Sequence, residues 1–301
     1  MGILDFFGNK RSKPTREVEP GVFLSRRLAP YWPQWRATRI PYVQIEATPA
    51  YNLSFAQSKF GGPTLLPKHF PYPVDSDGQK MFPLAQLNFS EIPPLEGYPT
   101  RGWLQFYIST NDDYGIHFTK RTLQKNFRVL YFEEMDMNNI RTDFDFMHDQ
   151  RMYDKSPVSM QHALSFAHAE ECVGVYDIRF EKAFGMDARK FAAGFGKRSS
   201  PAVHEELFLQ FPNTGHKIGG YAYFADEDPR VNPEYRQDIE NFQDYILLLQ
   251  IDSVSDDTIM WANRGACNFF IRPDHLRKKD FSSVAYNWDT QDEQIDPSKI
   301  Q

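Results

Sequence analysis

The stretch Lys59-Phe60-Gly61-Gly62 is followed by Leu84-Ala85-Gln86-Leu87 and then by Gly102-Trp103-Leu104-Gln105-Phe106-Tyr107-Ile108. The same order recurs as Lys217-Ile218-Gly219-Gly220, Leu248-Leu249-Gln250-Ile251 and Gly265-Ala266-Cys267-Asn268-Phe269-Phe270-Ile271. Corresponding positions lie 158 residues apart at the lysines, 164 at the glutamines and 163 at the first glycines of the heptads. A shared order with small drift in spacing is typical of a duplicated unit whose loops have changed length. The repeat therefore predicts two related halves.

The composition favours a mainly β (α+β) fold with antiparallel strands and few short helices. The chain has 301 residues, among them 26 Phe, 15 Tyr and 5 Trp, and aromatic rings pack well on pleated sheets. The 21 Pro and 17 Gly are scattered, which indicates many turns between short elements.

The repeat and the local composition together predict five segments. They are an N-terminal arm and lead-in (1–39), a first β-rich half (40–150), a connecting segment with short helices (151–212), a second β-rich half (213–290) and a polar tail (291–301).

Hydrophobic periodicity assigns individual elements. Strands are predicted around Leu104–Ile108, at Phe127–Phe132, at Tyr176–Phe180 with one solvated face, and at 246–251 with a hairpin partner at Ile259–Trp261. One helix is predicted from Asp187 as N-cap. A second is predicted from Ser200 as N-cap, with an apolar face at Val203, Leu207, Phe208 and Phe211 and a stop at Pro212.

Charge and cysteine content limit the classes of function. The net charge is −6 and the sequence pI about 5.8, so no basic surface for nucleic acid is expected. Two cysteines far apart argue against a disulfide framework and favour a cytoplasmic location. No apolar run approaches the roughly 18 residues of a membrane span, and the N-terminus lacks a secretory pattern. The arm is expected to dock on the domain or fray, with contact to a membrane surface as the alternative.

Read together, these phrases resemble the bacterial YwqG-like family, a domain family of unknown function. The matching text also includes Pro63, Leu66-Pro67, Asp112-Asp113-Tyr114-Gly115, His216 and Asp228-Pro229-Arg230. The resemblance covers roughly residues 40–290 and implies a roll-like fold, but no catalytic residues. The chain differs from the family pattern in having Ala222 where Pro is usual, Asp226 where Gln is common, and Asn263 in a Trp-x-Asp-x-Gly phrase.

The candidate ligand-binding residues lie in and beside the two Gly-Gly turns. Main-chain N–H groups of such turns, with a nearby lysine, can hold an anion. The alternative is a tight turn that needs glycine only for its backbone angles, and a buried Gln86 and Gln250 that bond to main chain. The candidates are Lys59, Gly61, Gly62, His216, Lys217, Gly219, Gly220, Asp226, Asp228 and Arg230.

Motifs of specific chemistry are missing from the sequence. The histidines and acidic turns match no metal-binding spacing, no phosphate-binding or dinucleotide loop occurs, and Cys172 follows two glutamates, which disfavours a thiolate. No metal, cofactor or catalytic residue is predicted. The first hypothesis is a cytoplasmic binding module with a protein partner, for example a bacterial regulatory or toxin-neutralising protein. The alternative is a hydrolase or an enzyme that binds a small molecule between the halves.

Overall fold

The structure, a computed structural model, describes residues 15–148, 150–233 and 239–290. The residues predicted as the beginning of the arm (1–14) and as the polar tail (291–301) lie outside these ranges. The described residues form β1 Thr15–Glu19, β2 Val22–Ser25, β3 Ile40–Pro49, β4 Lys59–Phe60, β5 Phe82–Asn88, β6 Trp103–Ile108, β7 Phe127–Phe132, β8 His162–Glu171, β9 His216–Gly219, β10 Ile246–Asp252, β11 Ala266–Ile271 and β12 Ala285–Asp289.

The helices of the described residues are short. They are α1 Trp32–Ala37, α2 Gln150–Asp154, α3 Arg179–Phe184, α4 Ala188–Ala193, α5 Ser200–Gln210 and α6 Pro273–Lys278, with 3₁₀ turns at Ala29–Tyr31, Asp145–His148, Pro229–Val231 and Phe242–Asp244. None of them is long and apolar enough to cross a membrane.

Ten strands form one antiparallel sheet in the order β12-β11-β10-β9-β3-β8-β4-β5-β6-β7 within the described chain. The sheet curls until it is nearly closed, because its two edge strands approach each other: the rings of Phe127 on β7 and Tyr286 on β12 lie 5.2 Å apart. The buried interior of this roll is the main apolar core, in which Phe106 and Phe269 touch at 4.6 Å. The expected mainly β, roll-like fold is confirmed.

The middle of the sheet is the long pair β3–β8, which runs from Ile40 opposite Glu171 to Pro49 opposite His162. A short strand lies on either side of this pair. β4 pairs with β8, which follows it in the chain, and β9 pairs with β3, which precedes it. β3 of the first predicted half therefore lies beside β9 of the second, and β8, from the predicted connecting segment, lies between β3 and β4.

A smaller helical lobe packs beside the roll. Helices α1, α3, α4 and α5 and the β1–β2 hairpin enclose Trp35, whose indole stacks on Phe211 at 5.1 Å and contacts Phe184 at 4.4 Å. Aromatic residues from both segments thus form a second core: Tyr31, Trp32, Trp35, Phe180, Phe184, Phe191, Phe195 and Phe211.

Several predicted elements are confirmed, and others are wrong. Strands β6, β7 and β10 and helix α4, capped by the Asp187 carboxylate at the Lys190 N–H, lie where the sequence indicates them. Helix α5 forms as predicted, but Ser200 is its first residue and Ser199 its N-cap.

The strand predicted at Tyr176–Phe180 is wrong, because α3 begins at Arg179 and buries Phe180 and Phe184 four residues apart against Trp35. The hairpin partner of β10 is β11 rather than Ile259–Trp261. Ile259 instead forms an isolated bridge with Val158.

Candidate functional site

Gln86 ties two loops to the first part of the sheet. Its side-chain Oε1 accepts from the main-chain N–H of Leu65 at 2.7 Å, and its Nε2 donates to the carbonyls of Phe55 and Gln57 at 2.7 and 2.9 Å. The side chain of Gln105 on β6 also donates to Oε1. Every hydrogen-bonding position of this buried amide is used.

Gln250 makes the same contacts in the second part of the sheet. Its Oε1 accepts from the N–H of Tyr223 at 2.8 Å and from Asn268, and its Nε2 donates to the carbonyls of Asn213 and Gly215. The loop partners lie 158 residues beyond those of Gln86. The prediction that both glutamines are buried and bonded to main chain is confirmed.

The two lysines that precede the Gly-Gly turns are buried. Lys59 Nζ donates to the carbonyls of Ser54 and Pro63. Burial lowers its pKa to about 8, although Glu91 acts in the opposite direction. Lys217 Nζ donates to the carbonyl of Tyr221 and forms an ion pair with Glu171 at 2.8 Å. Both ammonium groups are committed to the protein's own oxygens.

The surroundings of the two Gly-Gly turns differ. At the first turn, Gly62 lies under the side chain of Gln161, where an added Cβ would come within 2.6 Å of it. At the second turn, Gly219 faces Leu95 and the ring of Tyr98, and the turn borders an open cavity. Gly220, which corresponds to Gly62, is likewise covered, since an added Cβ there would collide with Glu171 Oε1, so the turns differ at Gly219 and in the cavity beside it.

His216 points away from the neighbouring lysine. Its ring contacts Phe60 at 5.3 Å, and its Nδ1 accepts from the Asp252 N–H at 3.0 Å. Burial, together with the charge of His162, lowers the pKa of His216 to about 4. The neutral imidazole thus serves as a hydrogen-bond acceptor inside the roll.

Asp228 and Arg230 belong to a buried ion cluster below the helical lobe. The Arg230 guanidinium bonds the carboxylates of Asp228 at 2.7 Å and Asp177 at 3.0 Å, and Arg179 contacts Asp177 at 2.7 Å. Burial acts to raise the pKa of Asp177, but the charges of Arg179 and Arg230 outweigh it and hold the pKa below its usual range. We call these four residues the ion cluster.

The predicted site residues therefore do not converge on one point. His216 lies in the roll interior, the lysines are enclosed with their loops, and Asp228 and Arg230 are held in the ion cluster rather than on an exposed turn. Within residues 15–148, 150–233 and 239–290, no group of three His, Cys, Asp or Glu side chains is arranged to hold a metal ion. Two cavities on either side of the ion cluster each contain a few of the candidates.

The first cavity, which we call the junction cleft, has a volume of about 360 Å³. One wall comes from the 95–98 loop of the first half, and the other from the start of β10 and from α6 in the second half. Arg179 lies at its side, fixed by Asp177 and by the carbonyl of Gly220. Its lining includes Leu95, Tyr98, Gly219, Gly220, Leu247 and Arg277.

The second cavity is a groove in the helical lobe. Two adjoining spaces of about 380 and 500 Å³ share Tyr176, Arg189 and His204, so they form one continuous depression. The ring of Tyr176 packs between His204 and Phe208 at 6.1 and 5.8 Å. Its exposed carboxylates belong to Glu181, Asp226 and Glu227 in the first space and to Glu205 in the second. We call this depression the acidic groove.

No sequence motif singles out Arg179, Tyr98, Tyr176 or His204. Arg179 falls on the solvated face of the strand predicted over 176–180, and no local pattern marks the other three. Their positions depend on contacts between segments far apart in the chain, such as the bond from the Tyr98 hydroxyl to the Leu247 carbonyl. The charge alternation Asp177-x-Arg179-x-Glu181 is the one local signal of an ion pair.

Comparison with known proteins adds the family but not an activity. No curated protein matches the chain. The family described as "Domain of unknown function (DUF1963)" matches residues 58–290, about three quarters of the chain, which include both Gly-Gly turns and both buried glutamines. The chain belongs to the DUF1963 family.

Proposed function

We propose that the protein is an interaction module whose acidic groove docks a basic segment of a partner protein. The observation that supports this most strongly is the shape and chemistry of the groove. It is a continuous depression with an aromatic floor and exposed carboxylates at one edge.

The charge of the groove comes from its edge rather than from its base. Asp177 and Asp228 are neutralised by Arg179 and Arg230 in the ion cluster. Among the described lining residues, the exposed carboxylates of Glu181, Glu205, Asp226 and Glu227 face one Arg or Lys side chain, that of Arg189. A cationic side chain is thus the complementary occupant, and such complementarity mainly raises association rate and specificity.

The floor favours a long aliphatic stem beneath the cationic group. Tyr176, Phe208 and Pro201 present apolar surface between α4 and α5. Arg and Lys lay their methylene stems on such surfaces while the charged group stays hydrated, and Arg also stacks on aromatic rings. We therefore expect alternating basic and apolar residues in the docked segment.

The test uses the full chain and a fluorescent six-residue peptide that alternates arginine with leucine. We expect binding that weakens as salt rises and that falls about three- to tenfold in the double variant Asp226→Asn/Glu227→Gln. The matched control is Asp112→Asn/Asp113→Asn, which removes two adjacent carboxylates from an exposed turn elsewhere. Equal losses in both double variants would show that the peptide responds only to the net charge of −6.

Two altered peptides test the aromatic floor without changing the protein. Replacement of leucine by serine should weaken binding because the floor loses its apolar contact, and replacement of arginine by glutamate should abolish it. If the serine peptide binds as tightly as the leucine peptide, the groove is not the docking surface.

A role as a cytoplasmic regulatory or toxin-neutralising protein stays a prediction, since no described residue bears on it. The hydrolase alternative has less support. Its candidate residues His216, Asp228 and Arg230 face different environments, and the last two are held in buried ion pairs.

A further inference from the structure

We infer that the junction cleft is a binding site for a small monocarboxylate with an apolar body. This site is separate from the acidic groove, and the ion cluster lies between the two cavities. The inference rests on the position and committed bonds of Arg179, on the exposed Arg277, and on the apolar walls.

Arg179 is held rigidly with one side of its guanidinium free. Its Nε and Nη2 donate to the Asp177 carboxylate at 2.8 and 2.7 Å, and Nη2 also donates to the Gly220 carbonyl at 2.9 Å. Its guanidinium also lies over the ring of Tyr221, 4.1 Å from the centroid. Nη1 has no protein partner among the described residues. An oxyanion that accepts from Nη1 thus meets a donor already fixed in position, which limits the entropy lost on binding.

Arg277 supplies the positive charge of the cleft that is not held in an ion pair. It is exposed on α6, it lines the cleft, and no ion pair engages it within the described chain. The charge of Arg179 is balanced by Asp177, and the exposed Glu96 at the edge opposes further negative charge. The charges around the cleft therefore match one negative charge better than two, which favours a carboxylate over a phosphate.

The remaining lining is apolar and comes from both halves. Ile40 and Pro41 begin β3, Leu95 comes from the first half, and Ile246 and Leu247 begin β10. The cleft volume of about 360 Å³ lies in the range of small-ligand pockets, which combine apolar walls with a few fixed polar groups. An apolar body attached to the carboxylate would be buried there, and this separates the site from one for a free inorganic anion.

The second Gly-Gly turn forms part of the cleft wall. Gly219 has a φ of +73° and Gly220 of +76°, which favour glycine, and a Cβ on Gly219 would come within 2.8 Å of Leu95. At Gly219, both the positive φ and the close approach of Leu95 therefore favour glycine. At the first turn, the counterpart Gly61 is instead approached by the Met160 carbonyl and by Val158, at 3.2 and 3.3 Å from an added Cβ, and neither Gly61 nor Gly62 lines the cleft.

The experiment titrates the full chain with three probes that share a phenyl group. They are 3-phenylpropionate, its neutral amide 3-phenylpropanamide, and phenyl phosphate. We expect 3-phenylpropionate to bind, and the amide to bind about tenfold or more weakly, the size of one lost charge-assisted hydrogen bond. Phenyl phosphate should bind more weakly than the carboxylate at pH 8, where it carries two charges.

Two variants on the same helix locate the site. Arg277→Gln should weaken 3-phenylpropionate about tenfold, whereas Lys278→Gln, a neighbouring exposed cation outside the cleft, should leave it unchanged. Any one of four results would overturn the inference: equal affinity for the acid and the amide, tighter binding of phenyl phosphate, equal effects of the two variants, or no binding of any probe. The peptide assay of the acidic groove is unaffected by Arg277→Gln if the two proposals are independent.

Discussion

At the scale of single residues, His216 and Ser58 show how two different side chains fill one structural role. Ser58 Oγ accepts from the Asn88 N–H at 2.8 Å, and His216 Nδ1 accepts from the Asp252 N–H at 3.0 Å. Both acceptors come one residue before a buried lysine and hold the end of the next long strand. The imidazole adds a titratable group to a contact that is neutral in the first half.

This substitution predicts a pH dependence of stability. The pKa of His216 is about 4 in the folded chain, lowered by burial and by the charge of His162 from the ordinary 6.5. Between these values His216 binds more protons in the unfolded chain, so its contribution to the free energy of unfolding rises as pH increases from 4 to 6.5. The contribution is at most about 3 kcal/mol, because each tenfold change in proton affinity is worth roughly 1.4 kcal/mol.

The measurement is urea unfolding from pH 4 to 7 of the wild type, of His216→Asn and of His69→Asn, which alters an exposed histidine. His216→Asn should remove most of this slope, because the amide oxygen can accept the same bond without titrating. The control should keep it. Parallel curves for the wild type and His216→Asn would show that the imidazole is not the titrating group. Asp289, whose pKa burial raises to about 6, contributes equally to the pH dependence of all three proteins.

At the scale of elements, the approach of neighbouring strands fixes where glycine is required. Gly265 precedes β11, and an added Cβ there would collide with the main-chain carbonyl of Asp289 at the end of β12. Gly102 precedes β6 in the same way, and an added Cβ there would come within 2.6 Å of the Phe132 carbonyl at the end of β7. The collision is with backbone, so the strand ends must move apart to relieve it.

Gly265→Ala should therefore cost clearly more than the about 1 kcal/mol typical of a positive-φ glycine in open space. Gly185→Ala is the matched control, since Gly185 has a φ of +73° at the end of α3 and nothing lies within 4 Å of its added Cβ. Unfolding in urea gives both values. A loss at Gly265 no larger than at Gly185 would mean that the edge of the sheet yields without strain.

The sequence predicts elements well where one local pattern decides them. The buried runs of β6 and β10 and the Asp187 cap of α4 are examples. It fails at α3, where alternation over 176–180 competes with the spacing of Phe180 and Phe184, and packing on Trp35 selects the helix. It also omits β8 from the connecting segment 151–212, because the exposed and half-buried residues of this strand show no apolar face.

The candidate site is less predictable than the fold for a related reason. The repeated phrases lead to residues with structural roles: the glutamines, the lysines and the first Gly-Gly turn hold loops onto the sheet. The cleft and the groove arise where the halves differ, at Arg179, Tyr98 and Tyr176, and a search for similarity passes over such positions. Of the predicted ligand residues, Gly219 and Gly220 line the cleft, and Asp226 and Asp228 line the groove.

At the scale of the whole molecule, residues 1–155 and 156–301 make corresponding hydrogen bonds, but their central strands are exchanged. The short strand of each part, β4 or β9, pairs with the long strand of the other part, β8 or β3. The main-chain partners of Gln86 are Leu65, Phe55 and Gln57. Those of Gln250 are Tyr223, Asn213 and Gly215, each 158 residues further along the chain. Lys59 lies opposite Ala163 of β8, and Lys217 lies opposite Gln44 of β3. Descent of the halves from one duplicated unit stays a prediction, which these contacts support.

The strand exchange predicts that neither half folds alone. β3 pairs only with β8 and β9 within the described sheet, so a fragment of residues 1–155 leaves it without a neighbour and also removes β8 from β4. Residues 156–301 lack β3 in turn, which separates β8 from β9. Each fragment loses the ten-residue pairing at the centre of the sheet, and apolar residues such as Val43 and Ile218 become exposed.

Circular dichroism and urea unfolding of separately produced fragments test this. We expect 1–155 and 156–301 to lack cooperative unfolding when alone and to regain it when mixed. Residues 1–175 provide the control, because they restore β8 and a continuous order β3-β8-β4-β5-β6-β7, so this fragment should keep more strand structure than 1–155. Cooperative unfolding of isolated 1–155 would mean that β4–β7 form a stable unit without the central strands, and the exchanged pairs would then join two bodies that are already folded.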